Sequence, residues 1–153
     1  MSNPPSSGPL FTAGYEGVSL PALIAALQTA GVSHVADVRQ LPLSRRAGFS
    51  KRMLGASLEA EGIGYTHFKQ LGTPKEGRIA NKEGRLAEFW GIVDGSLARP
   101  EALMERAALE ELSGRERVCV LCFCGNEQRC HRWRIRGWFE AKGVEVKSLH
   151  LLG

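Results

Sequence analysis

The chain lacks any stretch resembling a transmembrane span, and its opening MSNPPSSGP has neither a basic leader region nor an apolar one. A secretory signal is therefore not expected, and residues 1–9 read as a flexible polar tail. Internal repeats, linkers and low-complexity segments are missing beyond that tail. Residues 10–153 are accordingly expected to form a single domain, long enough to bury one continuous core. Cysteine is absent everywhere except between Cys119 and Cys130, and the paired CxxC knuckles of common structural zinc sites are absent too. Acidic side chains are missing from Arg39 to Arg52, where Arg39, Arg45, Arg46, Lys51 and Arg52 all stand. These absences argue against a membrane protein and against a secreted disulfide scaffold. They point to the cytoplasm, where thiols stay reduced and clustered cysteines serve as thiols, ligands or core residues.

What is present is ordinary in bulk: 43% hydrophobic residues, 24% charged residues and a net charge of +4, a modest bias toward acidic partners. Local patterning says more. Leu10–Gly14 reads as a short strand ending in Gly-Tyr-Glu-Gly. Ser19 can cap a helix whose apolar stripe is Leu20, Leu23, Ile24 and Leu27, and which stops at Gly31. Val32–Val38 reads as a second strand. Ser50 can cap a helix carrying Met53, Leu54 and Leu58 on one face, and Ile63–Phe68 reads as a third strand. Gly72–Gly84, rich in glycine and alternating charge, is expected to be the least structured part. Helices follow over Leu86, Phe89, Trp90 and Val93, and from Pro100 to Ser113. A strand from Val118, a helix starting near Arg129 and a last strand at Val144–Leu149 complete the alternation. The pattern predicts an α/β fold with a mostly parallel sheet of about five strands and helices on both faces. Functional loops then belong at the carboxyl ends of the strands, in Gly14–Gly17, Asp37–Arg46, His67–Gly72 and Cys122–Arg132.

The last of these loops lies in VCVLCFCGNEQRCHR, Val118–Arg132, which holds all four cysteines. The motifs GYEG, DVRQLPLSRRAGFSK, GIGYTHFKQLG, CFCGNEQRCHR and SLHL occur in that order along the chain. Together they resemble the bacterial and archaeal domain-of-unknown-function 488 family. The resemblance implies an α/β fold of about this size and no settled activity. One departure stands out: where the family has Cys-Ala-Glu before Cys-His-Arg, this chain has Cys122, Phe123 and Cys124, and Glu127 is the nearest acidic replacement.

Four chemistries fit the residues, the first being the expected one and the others its alternatives. The first is an anion site: a helix start at Arg129–Arg132 offers free N–H groups, Arg39 and Arg132 offer fork-shaped donors, and Arg129, Arg132 and Arg136 form one stripe. Tyr15 and Ser44 join it as binding residues, giving a cleft for a phosphate-containing small molecule or a nucleic acid. The second is a thiol enzyme. Cys130 at a helix N-terminus and Cys124 at a strand end are candidate nucleophiles, with His131, Asp37 and Glu16 as acid or base groups. The Cys124–Arg129 spacing and the Asp37-Val38-Arg39 triplet resemble rhodanese sulfurtransferases. The third is zinc on Cys122, Cys124, Cys130 and His131, which ligands at i and i+2 of a regular strand make awkward, so neither a metal nor any other cofactor is expected. The fourth is a noncatalytic nucleic-acid module using the cationic loop, the arginine stripe and Trp133. Cys119 is expected in the core and His131 turned inward; no membrane contact is expected, and nothing in the sequence sets an oligomeric state.

Overall fold

Five strands pair in parallel in the order β3-β2-β4-β1-β5, where β1 is Leu10–Gly14, β2 His34–Asp37, β3 Gly64–His67, β4 Val118–Cys122 and β5 Val146–Ser148. The structure is a computed structural model and describes residues 8–42 and 47–151. Six helices connect the strands: α1 Leu20–Thr29, α2 Lys51–Ala60, α3 Lys75–Lys82, α4 Leu86–Leu97, α5 Pro100–Ser113 and α6 Arg132–Ala141. The α/β architecture with a parallel sheet is the predicted one. Strand ends differ from the sequence reading by one or two residues, because apolar residues continue past the last ladder hydrogen bond.

Alternating side chains divide the core into two layers. Phe11, Val35, Cys119 and Leu121 pack under α1 and α2 through Leu23, Leu27, Leu54 and Leu58. Leu10, Ala36, Val120 and Cys122 face the other side, against Phe89, Leu109, Ile135 and Phe139 of α4, α5 and α6. Ser19 caps α1 by accepting from the Ala22 N–H at 3.2 Å.

Gly72–Gly84 corrects the sequence reading, for it contains α3 and not an irregular loop. Pro74 precedes the helix, and Gly77 sits inside it where a Cβ would come within 3.1 Å of Ile92 on α4. The glycine that reads as a breaker allows two helices to approach. Among the described residues no helix is long and apolar enough to cross a membrane.

The arrangement positions a site. β4 lies between β1 and β2, whose following helices pack on one face, while α6, which follows β4, packs on the other. The chain therefore leaves β1 and β4 toward helices on opposite faces, and such a switch point at the carboxyl edge is where a crevice forms in open α/β sheets.

Candidate functional site

β4 delivers its cysteines to different places. Cys119 is fully buried under α1 and α2, where burial pushes its thiol up to about 12 against the opposing charge of Arg132. Cys122 ends the strand on the opposite face. The chain then bends at Phe123, so Cys124 is no longer part of a regular strand. Backbone bonds hold the bend: Tyr15 N–H donates to the Cys122 carbonyl at 3.1 Å and Glu16 N–H to the Phe123 carbonyl at 2.9 Å. A 3-10 turn at Glu127–Arg129, begun by the Asn126 side chain accepting from Gln128 N–H at 3.1 Å, brings Cys130 back. As a result the Sγ atoms of Cys122, Cys124 and Cys130 lie within 4.8 Å of one another. Cys122 and Cys130 are buried and Cys124 is half-buried. All four cysteines are free thiols.

His131 stands directly behind this trio. Its Nε2 lies 2.8 Å from the Val38 carbonyl, which can only accept, so Nε2 carries a hydrogen. The other nitrogen, Nδ1, faces the Thr73 hydroxyl at 2.9 Å and the Cys130 sulfur at 3.7 Å. Burial opposes charge here, yet hydrogen bonds from Cys122 and Cys124 and the charge of His131 hold the Cys130 thiol well below its usual range. His131 is raised in turn: burial disfavours its cation, but Cys130 and Cys122 outweigh burial. Cys124 moves the other way, its thiol raised by hydrogen bonds to Cys122 and Cys130 and by burial. The geometry and the surrounding charges thus favour a proton-poor sulfur at Cys130, with thiols of Cys122 and Cys124 on one side and the His131 ring on the other.

Arg132 closes the trio from the first turn of α6. Its side chain is 2% exposed. Nη2 donates to the Cys124 carbonyl at 2.7 Å, Nη1 lies 3.9 Å from Glu127, and Nε has no hydrogen-bond partner among the described residues. Burial disfavours this cation, and Cys130 and Cys122 nonetheless keep it firmly charged.

Other sequence-predicted residues stand elsewhere. Asp37 and Arg39 form a buried ion pair, with Arg39 Nε and Nη2 on the two carboxylate oxygens at 2.9 and 2.7 Å. Tyr15 is buried, stacked on Phe49 at 4.2 Å, and its hydroxyl accepts from Arg39 Nη1 at 2.9 Å. These three residues, expected at a ligand or as an acid or base, brace the loop after β2 from inside. Glu16 is exposed and accepts from the Gly125 N–H at 3.0 Å, clamping the cysteine bend. The expected arginine stripe does not form, because α6 begins at Arg132 and not at Arg129. Arg129 docks on Asn81 of α3, and Arg136 pairs with Glu127 and Glu140. Ser44 lies outside the described residues. Missed by sequence reasoning was Thr73, in the segment read as irregular, whereas the sequence already groups Cys122 with Cys124 and Cys130 as a candidate ligand set. The shared side of the strand was the signal for Cys122; Thr73 had none.

A model of the domain of unknown function DUF488 matches residues 19–139. The chain belongs to the DUF488 family. No curated protein and no solved structure matches it. In this DUF488 domain the family-like motifs after β1, β2 and β4 thus meet at one edge of the sheet.

Beside the thiols a cleft of about 750 Å³ opens over β1 and β5, lined by Gly14, Glu16, Glu127, Arg132, Ser148 and His150. Glu127 organises its floor, accepting from the Thr12 hydroxyl, from Ser148 at 2.8 Å and from Arg136 at 3.2 Å. Burial would raise this carboxyl, but the hydroxyl bonds and the charges of Arg132 and Arg136 hold it below the usual range. A depressed folded-state value means stability that is full above the unfolded pKa of about 4.3 and is lost as pH falls further. Glu127→Gln is therefore expected to destabilise the domain at neutral pH and to flatten its loss of stability below about pH 4. Urea unfolding at pH 7 and pH 3.5 measures both. Equal losses for wild type and variant across that window would refute the role of Glu127.

Proposed function

We propose that this DUF488 domain works through sulfur. Cys122, Cys124 and Cys130 engage a soft electrophilic ligand, and Cys124 is the sulfur that meets it. The observation that carries this reading is the convergence of three Sγ atoms within 4.8 Å at the sheet's carboxyl edge, with one of the cysteines half-buried and the others behind it. His131 and Arg132 stand beside Cys130 and favour a proton-poor sulfur there, directly behind the accessible Cys124. Reduced thiols are a condition of such chemistry, so we place the protein in the cytoplasm.

A phosphate-containing ligand or a polynucleotide has less support. Arg39 is occupied by Asp37, Tyr15 and the Phe49 carbonyl, Arg132 is buried, and the neighbouring cleft carries the carboxylates of Glu16 and Glu127. The sulfurtransferase type belongs to the thiol class. Here the Gly125, Gln128, Arg129 and Cys130 N–H groups bond to Glu16, Asn126 and Glu127, which leaves none of these four to cradle a persulfide. The broader class of soft electrophile is therefore the one proposed.

Phenylarsine oxide, which bridges two neighbouring thiols with release of one water, tests it. Chelator-treated native protein is expected to take up one equivalent, and Cys124→Ser to react at least about tenfold more slowly with an unchanged circular dichroism spectrum. Equal rates for the two proteins would overturn the reading.

A further inference from the structure

We infer that Cys122, Cys124 and Cys130 form a three-sulfur cradle for a single thiophilic metal cation such as Zn²⁺, with the fourth coordination position open on the Cys124 side. The inference rests on the thiol-centred reading and names the ligand class.

Spacing is the first argument. Tetrahedral zinc with bonds of about 2.3 Å needs sulfurs about 3.8 Å apart. Three Sγ atoms already within 4.8 Å of one another approach that arrangement with shifts of an ångström or less. The sequence objection, two ligands at i and i+2 of a regular strand, does not apply, because β4 ends at Cys122 and Cys124 lies beyond the bend.

Rigidity is the second. The end of β4 fixes Cys122. Cys124 is held through its carbonyl by Arg132, and Cys130 is followed directly by His131, whose two nitrogens are bound to Val38 and Thr73. Supported ligands of this kind lose little freedom on binding an ion. With both nitrogens engaged, His131 positions Cys130 from behind and leaves the ligand set as sulfur alone.

Charge is the third. Three thiolates and a divalent cation sum to −1, and the cationic side of the cradle, Arg132 with His131 behind Cys130, offsets that charge. Arg132 is 2% exposed and its Nε lacks a hydrogen-bond partner among the described residues, so a buried cation stands ready next to the sulfurs. Its nearest carboxylate, Glu127 at 3.9 Å, is shared with Arg136 at 3.2 Å. Among the described residues no carboxylate joins the cluster, so the donor set selects soft ions over Mg²⁺ or Ca²⁺. Three protein ligands with an open position leave room for water or a small ligand on the metal.

The test uses the full chain. After incubation with Zn²⁺ and removal of excess, elemental analysis is expected to give about one zinc per chain. Cobalt substitution is expected to produce thiolate-to-metal charge-transfer absorption, a readout of sulfur ligation. Cys124→Ser, at the half-buried position, is expected to weaken retention against a competing chelator at least about tenfold. Cys119→Ser, across the sheet, is expected to leave stoichiometry and spectrum unchanged. Substoichiometric zinc, a cobalt spectrum without charge transfer, or equal losses in the two variants would overturn the inference. Bridging by the arsenical without zinc uptake removes the metal and leaves the thiol centre standing; failure of both removes both.

Discussion

Asp37→Asn is expected to lower the free energy of unfolding by about 3–5 kcal/mol, a large part of the usual margin of about 5–15 kcal/mol. Asp37 is fully buried at the end of β2 and Arg39 is 6% exposed. The carboxylate accepts from Arg39 N–H at 3.0 Å, from the guanidinium at 2.9 and 2.7 Å and from the Tyr65 hydroxyl at 2.5 Å. Arg39 then reaches Tyr15 at 2.9 Å and the Phe49 carbonyl at 2.6 Å, tying the loop after β1 to the segment before α2. The amide removes the charge, turns an N–H₂ group toward one partner and leaves a guanidinium buried without its counterion. Chemical denaturation of Asp37→Asn, Arg39→Met and the double variant checks this. The double variant is expected to be less damaged than the sum of the singles, because removing both charges leaves neither stranded. A loss within about 1 kcal/mol of wild type for Asp37→Asn would mean that water solvates the pair and that Arg39 is free for a ligand after all.

Much of this architecture is legible in the chain. Alternating apolar periods of two and three-to-four place the strands and helices, Ser19 and Pro100 mark helix starts, and inward turning of His131 follows from its spacing to Ile135. The site is legible in part, for a physical reason. Asp37 and Arg39 show the residue types expected at a ligand, and only three-dimensional packing reveals that they satisfy each other. Arg129 loses its place in the stripe because Asn126 caps a separate 3-10 turn, and the helix restarts at Arg132. Gly77 within α3 looks like a breaker until α4 packs against it. The trio of sulfurs depends on where β4 ends, a boundary that a continuous apolar run such as VCVLCF does not mark.

Gly14→Ala is expected to cost about 3 kcal/mol of stability and to dismantle the thiol centre. A Cβ at Gly14 would fall 1.7 Å from the Cys124 carbonyl oxygen, 2.6 Å from its carbon and 2.9 Å from Arg132 Nη2. The obstruction is backbone, and the flanking bonds from Tyr15 and Glu16 to the β4 bend resist its withdrawal. Relief requires the Cys124 carbonyl to leave Arg132, which carries the Cys124 sulfur away from Cys122 and Cys130. Two neighbouring glycines separate this effect from ordinary glycine loss. At Gly125 a Cβ would meet first a flexible Glu16 carboxylate oxygen at 3.2 Å, so Gly125→Ala is expected to be nearly neutral. At Gly17, where φ is +74° and nothing lies within 4 Å, Gly17→Ala carries only the left-handed backbone penalty of about 1 kcal/mol. Thermal unfolding and arsenical uptake for the three variants distinguish the cases, since only Gly14→Ala is expected to lose both. If Gly14→Ala retained native uptake, the contact between the β1 loop and Cys124 would not be what gathers the sulfurs, and the geometry of the centre would have to come from the 3-10 turn alone.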